Sequence, residues 1–224
     1  QSLSEIIVDQ GSDMTRPYMI GIVGVSGSGK TALADHLAGQ LGERQSQVVS
    51  LDSYYKHRPE LSSLEKESVN YDEPSAIDVT LLTTHLVRLS TGLPVDKPTY
   101  NFSGHERSKI TKRIRPSHYL IAEGHLLLHW PKLRALFDIT IFISIDNTTA
   151  LKRRLARDTR DRGRTEESVL AQWTTTVEPM FLRYIEPTQR YANLVINGNH
   201  SITIMATTVL GQIRNEIKTR TQQD

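Results

Sequence analysis

Residues 18–31 read YMIGIVGVSGSGKT. The apolar, β-rich run 18–25 suggests a buried strand. It passes into GVSGSGKT, 24–31, which has the spacing G-x-x-x-x-G-K-[ST]. A helix pattern follows, in which Leu33, Leu37 and Leu41 recur every four residues, Ala34 and Ala38 lie beside them, and Gly42 ends the run. Strand, glycine loop and helix in that order make a phosphate cradle. Gly24, Gly27 and Gly29 let the backbone bend so that its N–H groups converge on phosphate oxygens, and the helix N-terminus adds a favourable dipole. Lys30 can bridge terminal phosphates and the Thr31 hydroxyl can bind Mg²⁺. Such a loop marks a nucleotide site rather than a reaction. A small-molecule kinase, a GTPase switch and an ATPase motor all use one. An N-K-x-D guanine signature is not present.

Working outward, QVVSL (47–51), HYLIAEG (118–124), DITIFISID (138–146) and NLVING (193–198) read as further strands. Helices are expected over 79–89 and 204–218. Asp146 or Asn147 can cap a helix through the arginines, and Thr165 can cap the next, whose Leu170, Trp173, Val177 and Phe181 fit one apolar stripe. Pro179 should kink or restart it. Strands alternating with helices predict an α/β fold, a parallel sheet covered on both faces. Residues 93–114 interrupt the alternation with prolines, a glycine and scattered aromatics, as a hairpin or an irregular excursion. Residues 1–17 and 219–224 read as polar tails around one domain, 18–218, and Met14 is a candidate native start.

Composition narrows the classes. The chain has 224 residues, enough for one α/β domain with a sizeable core. It has no cysteine, which excludes disulfides, thiolate metal sites and a cysteine nucleophile. No apolar run approaches a membrane span and no signal peptide is visible, so a cytoplasmic protein is expected. The net charge is only +2, although RRLARDTRDRGR, 153–164, holds six arginines. That cluster is local, and a general nucleic-acid binder would be more basic. On a helix Arg153, Arg154 and Arg157 share a cationic face, and Gly163 breaks the backbone between Arg162 and Arg164. A lid closing on phosphate, over 152–168, fits this best. A solvated helix held by pairs such as Arg154 with Asp158 is the plain alternative.

Asp52 follows the second strand and Glu123 follows YLIA. In a parallel sheet, ligands gather at the carboxyl ends of the strands, where Lys30 and Thr31 also lie. A cation, a hydroxyl and two carboxylates at one rim are what phosphoryl transfer needs, although acids at strand ends also cap helices or face solvent. Tyr100 and Phe102 alternate and share one face of an extended segment; beside His105 they suit a nucleobase or ordinary hairpin packing.

The ordered blocks GVSGSGKT, SLDSYY (50–55), NYDEPSAID (70–78), PTYNFSGHERSK (98–109), AEGHLLL (122–128), RRLARDTRDRGR and VLAQW (169–173) resemble the uridine–cytidine kinase family, within the group that includes phosphoribulokinase. They cover about residues 20–196. The resemblance implies a P-loop kinase-like fold with an acceptor-side hairpin and an arginine lid, ATP and Mg²⁺ as cofactors, and a small nucleoside as substrate. It implies neither nucleic acid nor membrane as partner, and a homo-oligomer is compatible with it. It places Gly24, Ser26, Gly27, Ser28, Gly29, Lys30 and Thr31 on ATP, with Arg162 and Arg164 as lid arginines. Thr31 and Glu123 match the metal site. Asp52 looks like the acid that takes the proton of the nucleoside 5′-hydroxyl, with Tyr55 beside it. Tyr71 and Asp72 match positions that pack on the nucleoside and hold a ribose hydroxyl. Tyr100, Phe102 and His105 match the base pocket, and Arg154, Arg157 and Gln172 lie near sugar and phosphates. Lys30, Asp52, Arg157 and Arg162 would carry the chemistry. Glu73, Ile77, Asn101 and His125 stand where the family commonly has histidine, phenylalanine, aspartate and an aliphatic residue. All four fall in blocks that frame the acceptor, so another small hydroxyl metabolite is the alternative substrate: another riboside, a sugar phosphate or a pantothenate-like alcohol.

Overall fold

The computed structural model describes residues 16–102 and 104–221. Most of the expected tail 1–17, and the last three residues, lie outside this range. Arg16 lies inside it and is anchored, donating to the Leu136 carbonyl at 2.9 Å and to Asp138 at 3.3 Å.

The strands are β1 (Tyr18–Gly24), β2 (Ser46–Ser50), β3 (Val95–Asn101), β4 (Glu106–Ile114), β5 (Tyr119–Glu123), β6 (Ile139–Ser144) and β7 (Leu194–Asn197). Five form a parallel sheet in the order β2-β5-β1-β6-β7. β3 and β4 form a separate antiparallel hairpin. The α-helices of four or more residues are α1 (Lys30–Leu41), α2 (Ser63–Ser68), α3 (Val79–Ser90), α4 (Pro131–Arg134), α5 (Asn147–Arg162), α6 (Glu166–Gln172) and α7 (Ile202–Thr221).

The period of two along β1 builds two cores. Ile20 and Ile22 face one side, where they meet Leu33 and Leu37 of α1 and Met205 and Val209 of α7. Met19 and Val23 face the other, with Leu82 and Leu86 of α3 and Trp173, Val177 and Phe181 beyond α6. Both faces of the sheet are therefore apolar, which is why its strands read as near-continuous hydrophobic runs.

Register brings the chemistry to one edge. Glu123 on β5 pairs with Ser50 of β2 on one side and Ile22 of β1 on the other. β2 stops at Ser50 because its hydroxyl accepts from the Asp52 N–H at 3.3 Å, turning Leu51–Tyr54 into a 3₁₀ turn.

The apolar stripe after Thr165 differs from the expectation. Leu170 is exposed; Val169 takes its place, followed by Trp173, Val177, Phe181 and Ile185. That four-residue repeat belongs to a wider helix, since Trp173–Val177 and Phe181–Ile185 are π-helical. Pro179 does not end the run; it lies near the start of a short α segment, Glu178–Met180. It sits between the π turns, and i→i+5 bonding, such as Glu178 N–H to the Trp173 carbonyl, carries the helix past it. The last helix extends beyond 204–218 at both ends.

Candidate active site

The glycine loop is a tight cradle. Gly27 and Gly29 have φ of 85° and 97°, in the left-handed region. A Cβ on Gly27 would lie 2.3 Å from the Ala150 carbonyl oxygen of α5, so glycine there serves both conformation and packing. Gly29 is the N-cap of α1 and no side chain caps the helix, so the first-turn N–H groups of Lys30 and Thr31 face the loop. Ser28 turns inward: its hydroxyl is buried, and its N–H donates to the Val25 carbonyl at 3.0 Å.

The carboxylates meet at the sheet edge. Glu123 is 2 % exposed, and its Oε2 accepts from the Thr31 hydroxyl at 3.3 Å. Burial pushes the Glu123 carboxyl up from its ordinary value, and the charge of Asp52 adds to this; Lys30, Ser50 and Thr31 oppose it. Lys30, Thr31 and Asp52 therefore all act on Glu123, although the four residues come from three strand ends. No group of three or more His, Cys, Asp or Glu among the described residues could hold a metal. A hydroxyl and a buried carboxylate fit Mg²⁺ all the same, because it prefers oxygen ligands and takes the rest from substrate phosphates and water.

The arginines converge on the apex of the cradle. The Ser26 hydroxyl accepts from Arg154 at 2.8 Å and from Arg157 at 3.4 Å. Gln172 Oε1 accepts from Arg154 at 2.7 Å and also from Arg164. The centre of the group is Asp158, fully buried, with Arg157 at 2.8 Å, Arg164 at 3.5 Å, and Arg154 and Arg162 each at 3.6 Å. The buried stripe of α5 is thus Ala150, Arg154 and Asp158, a polar seam against the loop. The Arg154–Asp158 pair exists, but inside the protein rather than on a solvated face. Arg153 departs from the expected cationic face and donates to the Gly198 carbonyl at 2.8 Å. Gly163, with φ of 62°, ends α5, and both its N–H and that of Arg164 bond to the Asp158 carbonyl.

The aromatic residues Tyr55, Tyr71, Tyr100, Phe102 and His105 gather in one cluster. Tyr55 lies edge-on to Tyr71 at 5.3 Å, and Tyr100 is 5.4 Å from Phe102. His105 stacks on Tyr71, with centroids 4.9 Å apart at 16°. The Arg162 guanidinium lies over the Phe102 ring at 4.9 Å, joining the arginine segment to the hairpin. Asp72 Oδ2 accepts from Thr176 at 3.3 Å, and its charge acts on both Arg154 and Tyr55. Burial drives the Tyr55 phenol well up, so it stays protonated.

Sequence reasoning missed several supports. Asp158 was legible only as an i,i+4 partner of Arg154. Arg107 reaches the Tyr55 carbonyl at 2.9 Å and Asp78 at 3.4 Å, and Lys97 donates to the Ser53 hydroxyl at 2.7 Å; together they pin the hairpin to the sheet edge. Their charge and strand placement carry no local signal for those partners. A cleft of about 380 Å³ lined by Ser144, Ile145, Asp146, Ile196, Asn197 and Asn199 was also missed. It abuts the cradle through Gly198, whose Cβ would lie 3.2 Å from the Ser28 carbonyl oxygen.

The family model described as "Phosphoribulokinase / Uridine kinase family" matches residues 19–204. The chain is 44% identical to the uridine kinase of Tolumonas auensis, over 83% of this chain and 90% of that one. It is 41% identical to the uridine kinase of Clostridium perfringens, over 84% and 91% of the two chains. Its fold matches phosphoribulokinase from Rhodobacter spheroides with a TM-score of 0.63 at 14% identity, covering 83% of this chain and 71% of that one. The ordered blocks thus lie on the fold they imply: this chain belongs to the phosphoribulokinase and uridine kinase family.

Proposed function

We propose that the protein transfers the γ-phosphoryl group of ATP to the 5′-hydroxyl of a pyrimidine nucleoside, uridine or cytidine, yielding UMP or CMP and ADP. The observation that carries this reading is the convergence of Lys30, Thr31 and Asp52 on Glu123 at one sheet edge, with the charge of Asp52 also acting on Tyr55 of the aromatic cluster.

The cradle N–H groups and Lys30 bind the triphosphate. The cleft at Ser144–Asp146 and Ile196–Asn199 suits the adenine, being adjacent and partly apolar. Thr31 and Glu123 would hold Mg²⁺, which when bound neutralises charge on the transferring phosphoryl. The elevated Glu123 carboxyl supports this, since a buried anion repelled by Asp52 gains from a cation. Asp52 accepts the proton of the attacking hydroxyl as the new O–P bond forms and the β–γ bridge breaks. Asp72 orients a ribose hydroxyl, and Tyr55, Tyr71, Tyr100, Phe102 and His105 enclose the base. Arg154, Arg157, Arg162 and Arg164 stabilise the phosphoryl charge, and Gln172 and Asp158 hold them in place.

Among the described residues no helix is long and apolar enough to cross a membrane. An ADP-release screen tests the reading. Uridine or cytidine should raise ADP release far above that of the enzyme with ATP-Mg²⁺ alone. A response to a sugar phosphate or pantothenate, and none to either nucleoside, would overturn it.

A further inference from the structure

His125 is a buried titratable side chain that the chemistry above does not use. It follows Gly124, just past the Glu123 carboxylate at the end of β5. It is 6 % exposed, and its Nε2 is buried without a hydrogen-bond partner. Its backbone is fixed. A Cβ on Gly124 would lie 2.3 Å from Leu51 Cβ, so this segment is pressed onto the turn that carries Asp52. The charges that act on the imidazole are those of Asp72, Asp52, Lys30 and Arg154, groups of the acceptor and phosphate sides of the site. An unpaired buried nitrogen is unfavourable in the free protein, and most such groups in folded proteins have a partner. A sugar hydroxyl would supply one. Each hydroxyl both donates and accepts, whereas carboxylate oxygens such as those of Asp52 and Asp72 only accept; the lone pairs of the sugar oxygens need a donor, and an imidazole carrying a proton on Nε2 is one.

We propose that His125 is a substrate-contacting, specificity-determining residue whose Nε2–H donates to a secondary ribose hydroxyl of the acceptor, between Asp52 and Asp72. The inference rests on the nucleoside-kinase reading. It makes the site selective for a hydroxylated sugar, because a deoxy sugar leaves the nitrogen as it is in the free protein.

Steady-state kinetics of the full chain and of His125→Leu and His125→Gln, with uridine and with 2′,3′-dideoxyuridine, test it. His125→Leu should raise the KM for uridine about 10–100-fold. It should leave the KM for ATP and for dideoxyuridine near wild type. It should also raise the Tm of the free protein, because an apolar side chain replaces an unpaired polar one. His125→Gln, which keeps an N–H donor, should recover much of the uridine KM. A purely structural histidine, or one satisfied by a trapped water, would lower Tm on substitution and move both nucleosides together. If the wild-type chain turns over uridine and His125→Leu keeps its KM, the inference alone is overturned. If the wild-type chain turns over no pyrimidine nucleoside, the acceptor reading fails and the inference falls with it.

Discussion

Replacing Asp158 by asparagine removes one negative charge and nearly preserves shape. The residue is fully buried and draws four guanidiniums to within 2.8–3.6 Å. Its backbone carbonyl, which holds Gly163 and Arg164, is untouched by the change. Removing one partner of a buried ion pair costs about 3–5 kcal/mol. Only Arg154 is buried alongside it; Arg157, Arg162 and Arg164 are partly exposed, so their share is screened. The low end, about 3 kcal/mol, is therefore expected. In a chain of this length that corresponds to a Tm lower by roughly 6–12 °C. Catalysis should suffer separately. Without the carboxylate the four cations repel one another, and small misplacement of groups around a reacting centre costs about 10²-fold in rate. The KM for ATP should move little, because arginines freed from Asp158 still attract phosphate. Thermal unfolding and coupled ADP-release assays at saturating nucleoside measure both effects. An Asp158→Asn enzyme with wild-type kcat and Tm would refute the view that this carboxylate gathers the arginines.

Two further outcomes follow from the cradle and the metal residues. Gly27→Ala places a Cβ against the Ala150 carbonyl oxygen at a backbone conformation that favours glycine, and should cost at least about 1–2 kcal/mol and abolish saturable ATP binding by calorimetry. Glu123 has a folded-state pKa raised above its ordinary 4.5, so its stabilising contribution is complete below about pH 4.5 and is lost as pH rises through the folded value. Glu123→Gln should therefore raise the Tm of the metal-free protein at pH 7, with the gap closing towards pH 4.5, while Mg²⁺-dependent turnover collapses; a lower Tm at pH 7 would contradict this.

The first strand, the loop and α1 were legible because each carries a local signal: an apolar run, glycines at fixed offsets and a four-residue repeat. The sheet edge was legible because strand ends in a parallel sheet share one rim, which is why Asp52, Glu123 and Lys30 could be grouped from positions 30 to 123. Val169 could not be told from Leu170, since the choice depends on π turns that no short pattern announces. Arg153 left the cationic face for a reason equally remote, the Gly198 carbonyl 45 residues on. Asp158 looked like a surface partner because charge spacing on a helix does not say which face is buried. The cleft beside the loop is built from β6 and β7 ends some 50 residues apart, and its lining residues are individually unremarkable.

Asp52→Asn tests the central claim most directly, that a carboxylate at the end of β2 takes the proton of the acceptor hydroxyl. With ATP-Mg²⁺ and uridine both saturating, kcat should fall by about 10²–10⁴-fold. ATP affinity, measured by calorimetry on the same variant, should stay at the wild-type value. Full turnover by Asp52→Asn would contradict the account.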